Sequence, residues 1–280
     1  MPPLPSPSTR PTSGAELTVA VVGAGAIGGA VIEALEQGRV PGARLGAVLR
    51  SNSTESEIEA AVDAADVVVE ASSVAAAEAY IPRVTATGTD IIVCSCGVFA
   101  RHDDPRTLPA PGPHAGRVLV PAGAIGGLDV LAAAARAETG EARVRHVTIK
   151  SPAALNVGDE LAGPREVFRG SAREAALEFP LTSNASVALA LATLGLDRTE
   201  VSVVADPDVE RTRHVVEWES PVGRYELRFE NAVDPDSGGR TSAITAWSVV
   251  GVLHALAAGV GPGVVVLGGD RPVEGATPSP

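Results

Sequence analysis

Short apolar runs and amphipathic stretches alternate along the first 120 residues. Runs that suit buried strands occur at 17–22, 44–49, 66–70, 90–94 and 117–120. Helical spacing follows the first of them at Ala30 and the second at Thr54, where Thr-Glu-Ser-Glu has the form of a capping box. A further helix is predicted over 74–85, interrupted near Pro82. Strands that alternate with helices predict an α/β fold with a doubly wound parallel sheet and right-handed crossovers.

The pattern changes after Pro121. A helix is predicted over 124–137, a strand over 142–151 and a helix capped by Ser171. Three further runs alternate apolar and polar residues as a half-exposed antiparallel sheet does, with a hairpin turn at 220–223 between the last two: 201–205, 214–219 and 224–230. They predict a second, α+β domain with a mainly antiparallel sheet.

Domain boundaries follow from these changes of pattern. We place a first domain at 16–121 and a second at 122–240. The last helix, at 241–260, is apolar on most sides, so we expect it to be buried and to pack back on the first domain. Tails at 1–15 and 268–280, rich in Pro, Ser, Thr and Gly, are expected to be disordered.

Composition and charge narrow the function classes. Apolar residues make up 45% of the chain but aromatic residues only 3%, so Ala, Val, Leu and Ile must fill the core. The net charge of −12 and the single lysine, Lys150, disfavour binding to nucleic acid or to an anionic membrane. No apolar stretch reaches about 18 residues, and we expect a cytoplasmic protein. Cys94 and Cys96, with both side chains on one face of a strand, are interpreted as small apolar core residues, and no metal site is predicted.

The first strand breaks into glycines spaced G-x-G-x-x-G. Gly23 permits a tight turn, Gly25 lets the backbone approach a pyrophosphate and Gly28 lets the helix pack close to the strand. The helix begins at Ala26 and Ile27, so its N-terminus faces the same ligand. Because the motif follows a strand and opens a helix, we predict a Rossmann domain that binds a nicotinamide dinucleotide.

The end of the second strand indicates which dinucleotide is preferred. An acidic residue about 20 positions after the glycines binds the ribose of NAD, whereas a basic residue there favours NADP. This chain has Arg50, Ser51 and Asn52 at that place, and no acidic residue precedes Glu55. We predict that NADP is preferred and that NAD binding is possible.

Five histidines are candidates for acid/base chemistry. From spacing alone four are interpreted as structural or solvated: His102, His114, His146 and His254, the last within the buried terminal helix. His214 lies where a polar run enters a strand, so its ring could face a cleft between the domains.

Several segments occur in a recognisable order after residue 120. They include 123–129 (Gly-Ala-Ile-Gly-Gly-Leu-Asp), 168–175 (Phe-Arg-Gly-Ser-Ala-Arg-Glu-Ala), Phe179-Pro180, the Ala-Leu-Ala to Ala-Asp-Pro stretch of 188–207, His214, and 241–243 (Thr-Ser-Ala). With the glycine turn, they make residues 17–255 resemble the aspartate dehydrogenase family.

The resemblance implies NAD(P)-dependent interconversion of L-aspartate and iminosuccinate. It also implies a homodimer, in which the second domain carries substrate binding and dimerisation. It implies that His214 is the catalytic acid/base and that Ala124 lies near the nicotinamide. The residues implied to bind the substrate carboxylates are Lys150, Thr182, Asn184, Thr212 and Arg240.

Some of these positions depart from the family pattern. Thr182 and Thr212 stand where the family has Asn, and Arg240 stands where it has Lys. A hydroxyl keeps a donor and an acceptor but has a shorter reach than an amide. Two alternatives therefore stay open at this point: an NADPH-dependent reductase of another imine or oxo acid in a specialised pathway, and a non-catalytic NADP(H)-binding sensor or partner subunit.

Overall fold

Two five-stranded sheets organise the protein. The computed structural model describes residues 16–137, 140–158, 161–237 and 241–259. The predicted tails at 1–15 and 268–280 lie outside these described residues, and the domain boundaries stay predictions. Within the described ranges, no helix has the length and apolar content needed to cross a bilayer.

The first sheet is entirely parallel, in the order β2-β1-β3-β4-β5. Its central strands are fully buried on both faces, which explains their nearly uninterrupted apolar sequence. This confirms the predicted doubly wound sheet. The strands are β1 (Leu17–Val22), β2 (Ala43–Leu49), β3 (Val67–Glu70), β4 (Asp90–Val93) and β5 (Val118–Leu119).

Helices α1 (Ala26–Glu36), α2 (Glu55–Ala64) and α3 (Val74–Ala86) connect these strands. The capping box of α2 is present, because the Thr54 hydroxyl accepts from the Glu57 amide and the Glu57 carboxylate accepts from the Thr54 amide. The predicted interruption at Pro82 is wrong, since α3 continues through it. Ile81 and Val84 beside the proline are completely buried, and this packing keeps the helix intact although one backbone hydrogen bond is missing.

The second sheet is mixed, in the order β10-β9-β6-β8-β7. Only the β6–β8 pair is parallel; the other three pairs are antiparallel, including the predicted β9–β10 hairpin. Its strands are β6 (Arg143–Lys150), β7 (Arg165–Ser171), β8 (Thr199–Ala205), β9 (Thr212–Ser220) and β10 (Gly223–Asn231). β7 was not predicted, because this edge strand is rich in charged residues and only partly buried.

Helices α4 (Leu128–Ala135), α5 (Ala172–Glu178) and α6 (Asn184–Ala192) belong to the second half. α4 begins four residues later than predicted, because Gly127 before it adopts a left-handed conformation with φ +70°. Ser171 caps α5 as predicted, with Glu174 completing a capping box. α6 was not predicted: residues 185–190 are all buried, so no apolar stripe of helical period is visible in its sequence.

The last helix, α7 (Ile244–Ala257), packs against α1 and β2 of the first sheet. Val249 and Leu253 are fully buried there in one apolar cluster with Val19 and Val31. The expectation that this apolar helix is buried is wrong, however, for one of its sides. Trp247 is 45% exposed, and the opposite side of α7 also exposes Ile244 and His254, so only one stripe is covered.

Candidate active site

The glycine turn between β1 and α1 has the close contacts that its sequence predicts. Gly23 has φ +93°, and a Cβ there would lie 2.6 Å from the carbonyl oxygen of Ala71. A Cβ at Gly28 would overlap the carbonyl oxygen of Gly23, so the helix packs directly on the turn. A Cβ at Gly25 would have no atom within 4 Å, which leaves open space beside the backbone.

The N-terminus of α1 faces that open space. Gly25 is its N-cap, no side chain caps it, and its first turn carries no acidic residue. The backbone N–H groups of Ala26, Ile27 and Gly28 thus begin an eleven-residue helix whose positive dipole end has no side-chain counter-charge. These features fit the pyrophosphate of a dinucleotide, which supplies anionic oxygens at short range.

Arg50 follows β2 at the same edge of the sheet. The Gly23 amide donates to the Leu49 carbonyl (2.9 Å), which connects the glycine turn to the end of β2. Arg50, Ser51 and Asn52 are exposed there, and the Arg50 amide donates to the Ser53 hydroxyl (3.0 Å). Arg50 therefore directly follows a residue that hydrogen-bonds to the turn, and its side chain is exposed.

Glu70 is a buried carboxylate that the sequence interpretation missed. It ends β3 with no exposed surface and accepts from the amides of Ser72 (2.8 Å), Ser73 (3.1 Å) and Ser95 (3.1 Å). The hydroxyls of Ser72 and Ser95 also donate to it. One side chain thus connects the loops that follow β3 and β4. An acidic residue at the end of an all-valine strand was the available signal.

A cleft, whose empty volume with its opening to solvent is about 550 Å³, lies between the start of α1 and the second sheet. Six of the predicted site residues line it: Ile27, Ala124, Lys150, Thr182, Asn184 and His214. Thr212 does not; it is buried two residues before His214 on the same face of β9. Arg240 lies outside the described residues, but the nearby Thr241 and Ser242 line the cleft.

Cys94 and Cys96 also line the cleft, and both are buried free thiols. The prediction that they share one face of a strand is wrong, because β4 ends at Val93 and Cys96 begins a 3₁₀ turn. Burial raises the pKa of the Cys96 thiol to about 12, so it stays protonated.

The polar residues of the cleft are positioned by contacts between distant segments. The Asn184 side-chain oxygen accepts from the Gly97 amide (3.2 Å), and the Gly123 amide donates to the Ser248 hydroxyl (3.1 Å). The Asn231 side chain donates to the Ala124 carbonyl (2.7 Å). α6, α7 and β10 therefore each fix part of the cleft wall.

His214 is paired with a second histidine. Nδ1 of His214 lies 3.0 Å from Nε2 of His146, and Nδ1 of His146 lies 2.8 Å from the Ser186 hydroxyl. The two rings stack with centroids 5.1 Å apart. Of the two interpretations of His146, structural or solvated, the solvated one is excluded: it is 1% exposed on the buried face of β6. Its phase in the strand, shared with Lys150, was the signal that could have revealed it.

The histidines are neutral and the lysine retains a charge near pH 7. Burial is the main cause of a pKa of His214 well below its ordinary value, followed by the charges of His146 and Lys150. Burial and Lys150 lower the pKa of His146 to about 4, and burial lowers the pKa of Lys150 to about 8. Nε2 of His214, buried and without a hydrogen-bond partner among the described residues, is the ring atom left for chemistry in the cleft.

The chain is similar in sequence to known proteins. Residues 129–256 match the family model of the aspartate dehydrogenase C-terminal domain, and residues 23–110 match that of the homoserine dehydrogenase NAD-binding domain. An L-aspartate dehydrogenase from Bradyrhizobium diazoefficiens is 35% identical over 88% of this chain and 94% of its own length. The chain belongs to the aspartate dehydrogenase family. The resemblance stated from its motifs is thereby confirmed.

Two further members of the aspartate dehydrogenase family align with this chain over almost their whole length. An L-aspartate dehydrogenase from Methanopyrus kandleri is 33% identical over 88% of this chain and 98% of its own. The crystal structure of an aspartate dehydrogenase from Thermotoga maritima has a TM-score of 0.65 and 26% identity, covering 90% of this chain and all of that one. The NAD-binding match contains the glycine turn and the other contains Lys150 and His214, so the two matched regions meet at the cleft.

Proposed function

We propose that this protein is an NAD(P)-dependent L-aspartate dehydrogenase that interconverts L-aspartate and iminosuccinate. The observation that carries the proposal is the neutral His214 ring, with Nε2 free of described partners, in one cleft with Lys150 and the start of α1. The names of the relatives support the same activity.

With the pyrophosphate of the dinucleotide held at the glycine turn and the start of α1, the nicotinamide would supply the hydride chemistry at Cα of the amino acid and at the imine carbon. The chain's own residues do the rest. In the oxidative direction Nε2 of His214 takes a proton from the substrate ammonium group, and in the reductive direction the protonated ring returns it to the nitrogen. The Lys150 ammonium, the Thr182 hydroxyl and the Asn184 amide bind the carboxylates, and Arg240 is proposed to assist them.

A substitution at His214 tests the chemistry. His214→Ala should lower kcat for aspartate oxidation at least about a hundredfold while the Kd of NADPH changes less than about threefold. His254→Ala, on the exposed side of α7, is the matched control and should keep wild-type kcat. An active His214→Ala variant would contradict the mechanism. NADPH binding without turnover of any amino or imino acid in a panel would instead favour the sensor role.

NADP preference is a separate proposal and rests on Arg50. Arg50→Gln should weaken NADP binding at least about tenfold and change NAD binding less than about threefold, because only NADP carries a 2′-phosphate. Arg44→Gln is a matched control: it is exposed on the same strand, roughly 20 Å from the cofactor edge. Wild-type NAD binding tenfold tighter than NADP binding would refute this proposal.

The homodimer and the cytoplasmic location stay predictions. Sedimentation velocity over a concentration series, with and without NADPH, would determine the oligomeric state. A single species with the 28.3 kDa mass of one chain would contradict the dimer.

A further inference from the structure

Buried polar residues lie along one face of β6, beside the cleft. His146, Thr148 and Lys150 lie on the buried face of β6, and Thr148 is directly opposite His214 of β9. His146 is therefore the diagonal neighbour of His214, and the Ser186 hydroxyl of α6 reaches it from above the sheet. Apolar side chains at these positions would avoid the desolvation cost of burying two imidazoles and a hydroxyl.

The hydrogen bonds form one directed series from helix to cleft. It runs from the Ser186 hydroxyl to Nδ1 of His146 (2.8 Å) and from Nε2 of His146 to Nδ1 of His214 (3.0 Å). The three residues are at most 2% exposed, so water has no access that would let it replace a missing partner. Each ring nitrogen of the series except Nε2 of His214 thus has a defined partner.

We propose that His146 and Ser186 are positioning residues that hold the His214 ring and support it in either of its two neutral tautomers. The inference rests on the proposed acid/base function of His214. Neither residue touches the substrate, and both act through the Nδ1 atom of His214.

Both tautomers satisfy every hydrogen bond in the series because a serine hydroxyl donates or accepts. In the first, His214 Nδ1–H donates to His146, whose own Nδ1–H donates to Ser186, and His214 presents a bare Nε2 that accepts the substrate proton. In the second, Ser186 donates to His146, whose Nε2–H donates to His214, and His214 presents an Nε2–H. Both arrangements hold the same number of protons and carry no charge. The first accepts the substrate proton at Nε2 and becomes the imidazolium that returns it in the reductive direction, whereas the second presents an N–H donor to a ligand in the cleft.

A carboxylate in the place of His146 would act differently. It would accept only, fix the Nδ1–H tautomer and stabilise the imidazolium. No carboxylate of the described residues hydrogen-bonds either ring. Among the described residues, the charged or titratable neighbours of His214 are His146 and Lys150 from β6 and the cleft thiols. α6 contributes Asn184 and Ser186, and β10 places Phe229 opposite His214.

Nitrogen NMR of the histidine rings tests the proposal without requiring activity. ¹⁵N chemical shifts distinguish a protonated ring nitrogen from a bare one, so they report the tautomer of His214 in the full-length protein with NADP⁺ bound. In the wild type we expect a neutral ring whose tautomer differs between a sample with succinate and one without. In Ser186→Ala and His146→Leu we expect the His214 shifts to lose that response.

Kinetics of the same variants separate positioning from a purely structural role. His146→Leu should lower kcat about ten- to a hundredfold with KM for aspartate and Kd for NADPH within about threefold of wild type. His146→Gln, whose amide both donates and accepts, should recover at least a third of the lost activity, and Ser202→Ala is a matched control at another buried serine.

Two results would overturn the inference: wild-type kcat in His146→Leu, or His214 shifts that are the same in His146→Leu and in the wild type. A fully active His214→Ala variant would contradict the proposed function instead, and the NMR result would still decide whether the pair controls the ring. If His146→Leu fails to fold, Ser186→Ala and His146→Gln provide both readouts.

Discussion

Three alanine substitutions in the glycine turn should separate folding from cofactor binding. At Gly29 a Cβ would be 3.6 Å from the nearest atom, an ordinary contact, so Gly29→Ala should gain up to about 1 kcal/mol from helix propensity. At Gly28 the Cβ would overlap the Gly23 carbonyl oxygen and lie 2.9 Å from its carbon. Because these are backbone atoms, turn and helix must separate by about 1 Å to reach normal contact.

The cost of that separation can be worked out from the contacts. Overpacking of a well-packed site costs about 1–3 kcal/mol, and there is little room behind Gly23, since a Cβ built there would lie 2.6 Å from the Ala71 carbonyl oxygen. Because both positions lie in α1 and gain the same helix propensity, we expect Gly28→Ala to be less stable than Gly29→Ala by the overpacking cost, about 1–3 kcal/mol. A 1 Å shift would also lengthen N–H···O contacts to the pyrophosphate beyond about 3.5 Å. The loss of one such charge-assisted bond, about 1.5–3 kcal/mol, weakens NADPH binding roughly ten- to a hundredfold.

Gly25→Ala should do the reverse. Its backbone, with φ −77°, accepts alanine, and no protein atom lies within 4 Å of the new Cβ, so stability should change by less than about 0.5 kcal/mol. The methyl group would occupy the space predicted for the cofactor, and NADPH binding should weaken at least about tenfold. Urea unfolding and NADPH fluorescence titration measure both quantities. Equal stability of the Gly28 and Gly29 variants, with NADPH affinities within threefold, would refute the reasoning.

Two further predictions concern buried ionisable groups. Glu70→Gln should destabilise the protein by about 2–4 kcal/mol in urea unfolding, because an amide NH₂ would face N–H donors. The control Glu59→Gln, at an exposed position, should change stability by less than about 0.5 kcal/mol. Equal effects of the two substitutions would contradict the prediction. Acid should destabilise the fold through His146, whose pKa is lowered to about 4 in the folded protein. Below pH 6.5 the unfolded chain binds a proton on this histidine that the folded protein does not. The free energy of unfolding should therefore fall by about 3 kcal/mol between pH 6.5 and 4. His146→Gln should have a shallower pH slope, with the remaining loss due to His214, whose pKa is also lowered; His254→Gln should keep the full slope, and the same pH slope in both variants would disprove the cause.

Much of the first half of the fold was predictable because its signals are local. Buried parallel strands show as apolar runs, capping boxes occupy four consecutive residues, and the glycine turn needs only six residues to specify its geometry. The position of Arg50 beside the turn follows from the same local order, since it directly succeeds β2. Where a local rule competed with packing, as at Pro82, packing prevailed.

The cleft was only partly predictable. Family motifs identified Lys150, Asn184 and His214, and the tertiary structure brings them together from β6, α6 and β9. The strand assignment for the two cysteines was wrong because β4 ends one residue before Cys94. The exposed side of α7 was not predicted because composition alone does not specify which stripe of an apolar helix is covered.

The sequence by itself determined the elements, the dinucleotide turn and the family, because periodicity, caps and glycine spacing act over a few residues. Only the tertiary structure decided what surrounds His214. His146 is 68 positions away, and the register of β6 against β9 is what makes the two rings neighbours. Burial then keeps both rings neutral, and Ser186, from a third segment, completes their hydrogen bonds. Burial and pairing of polar groups depend on the whole fold, so no local pattern could specify them.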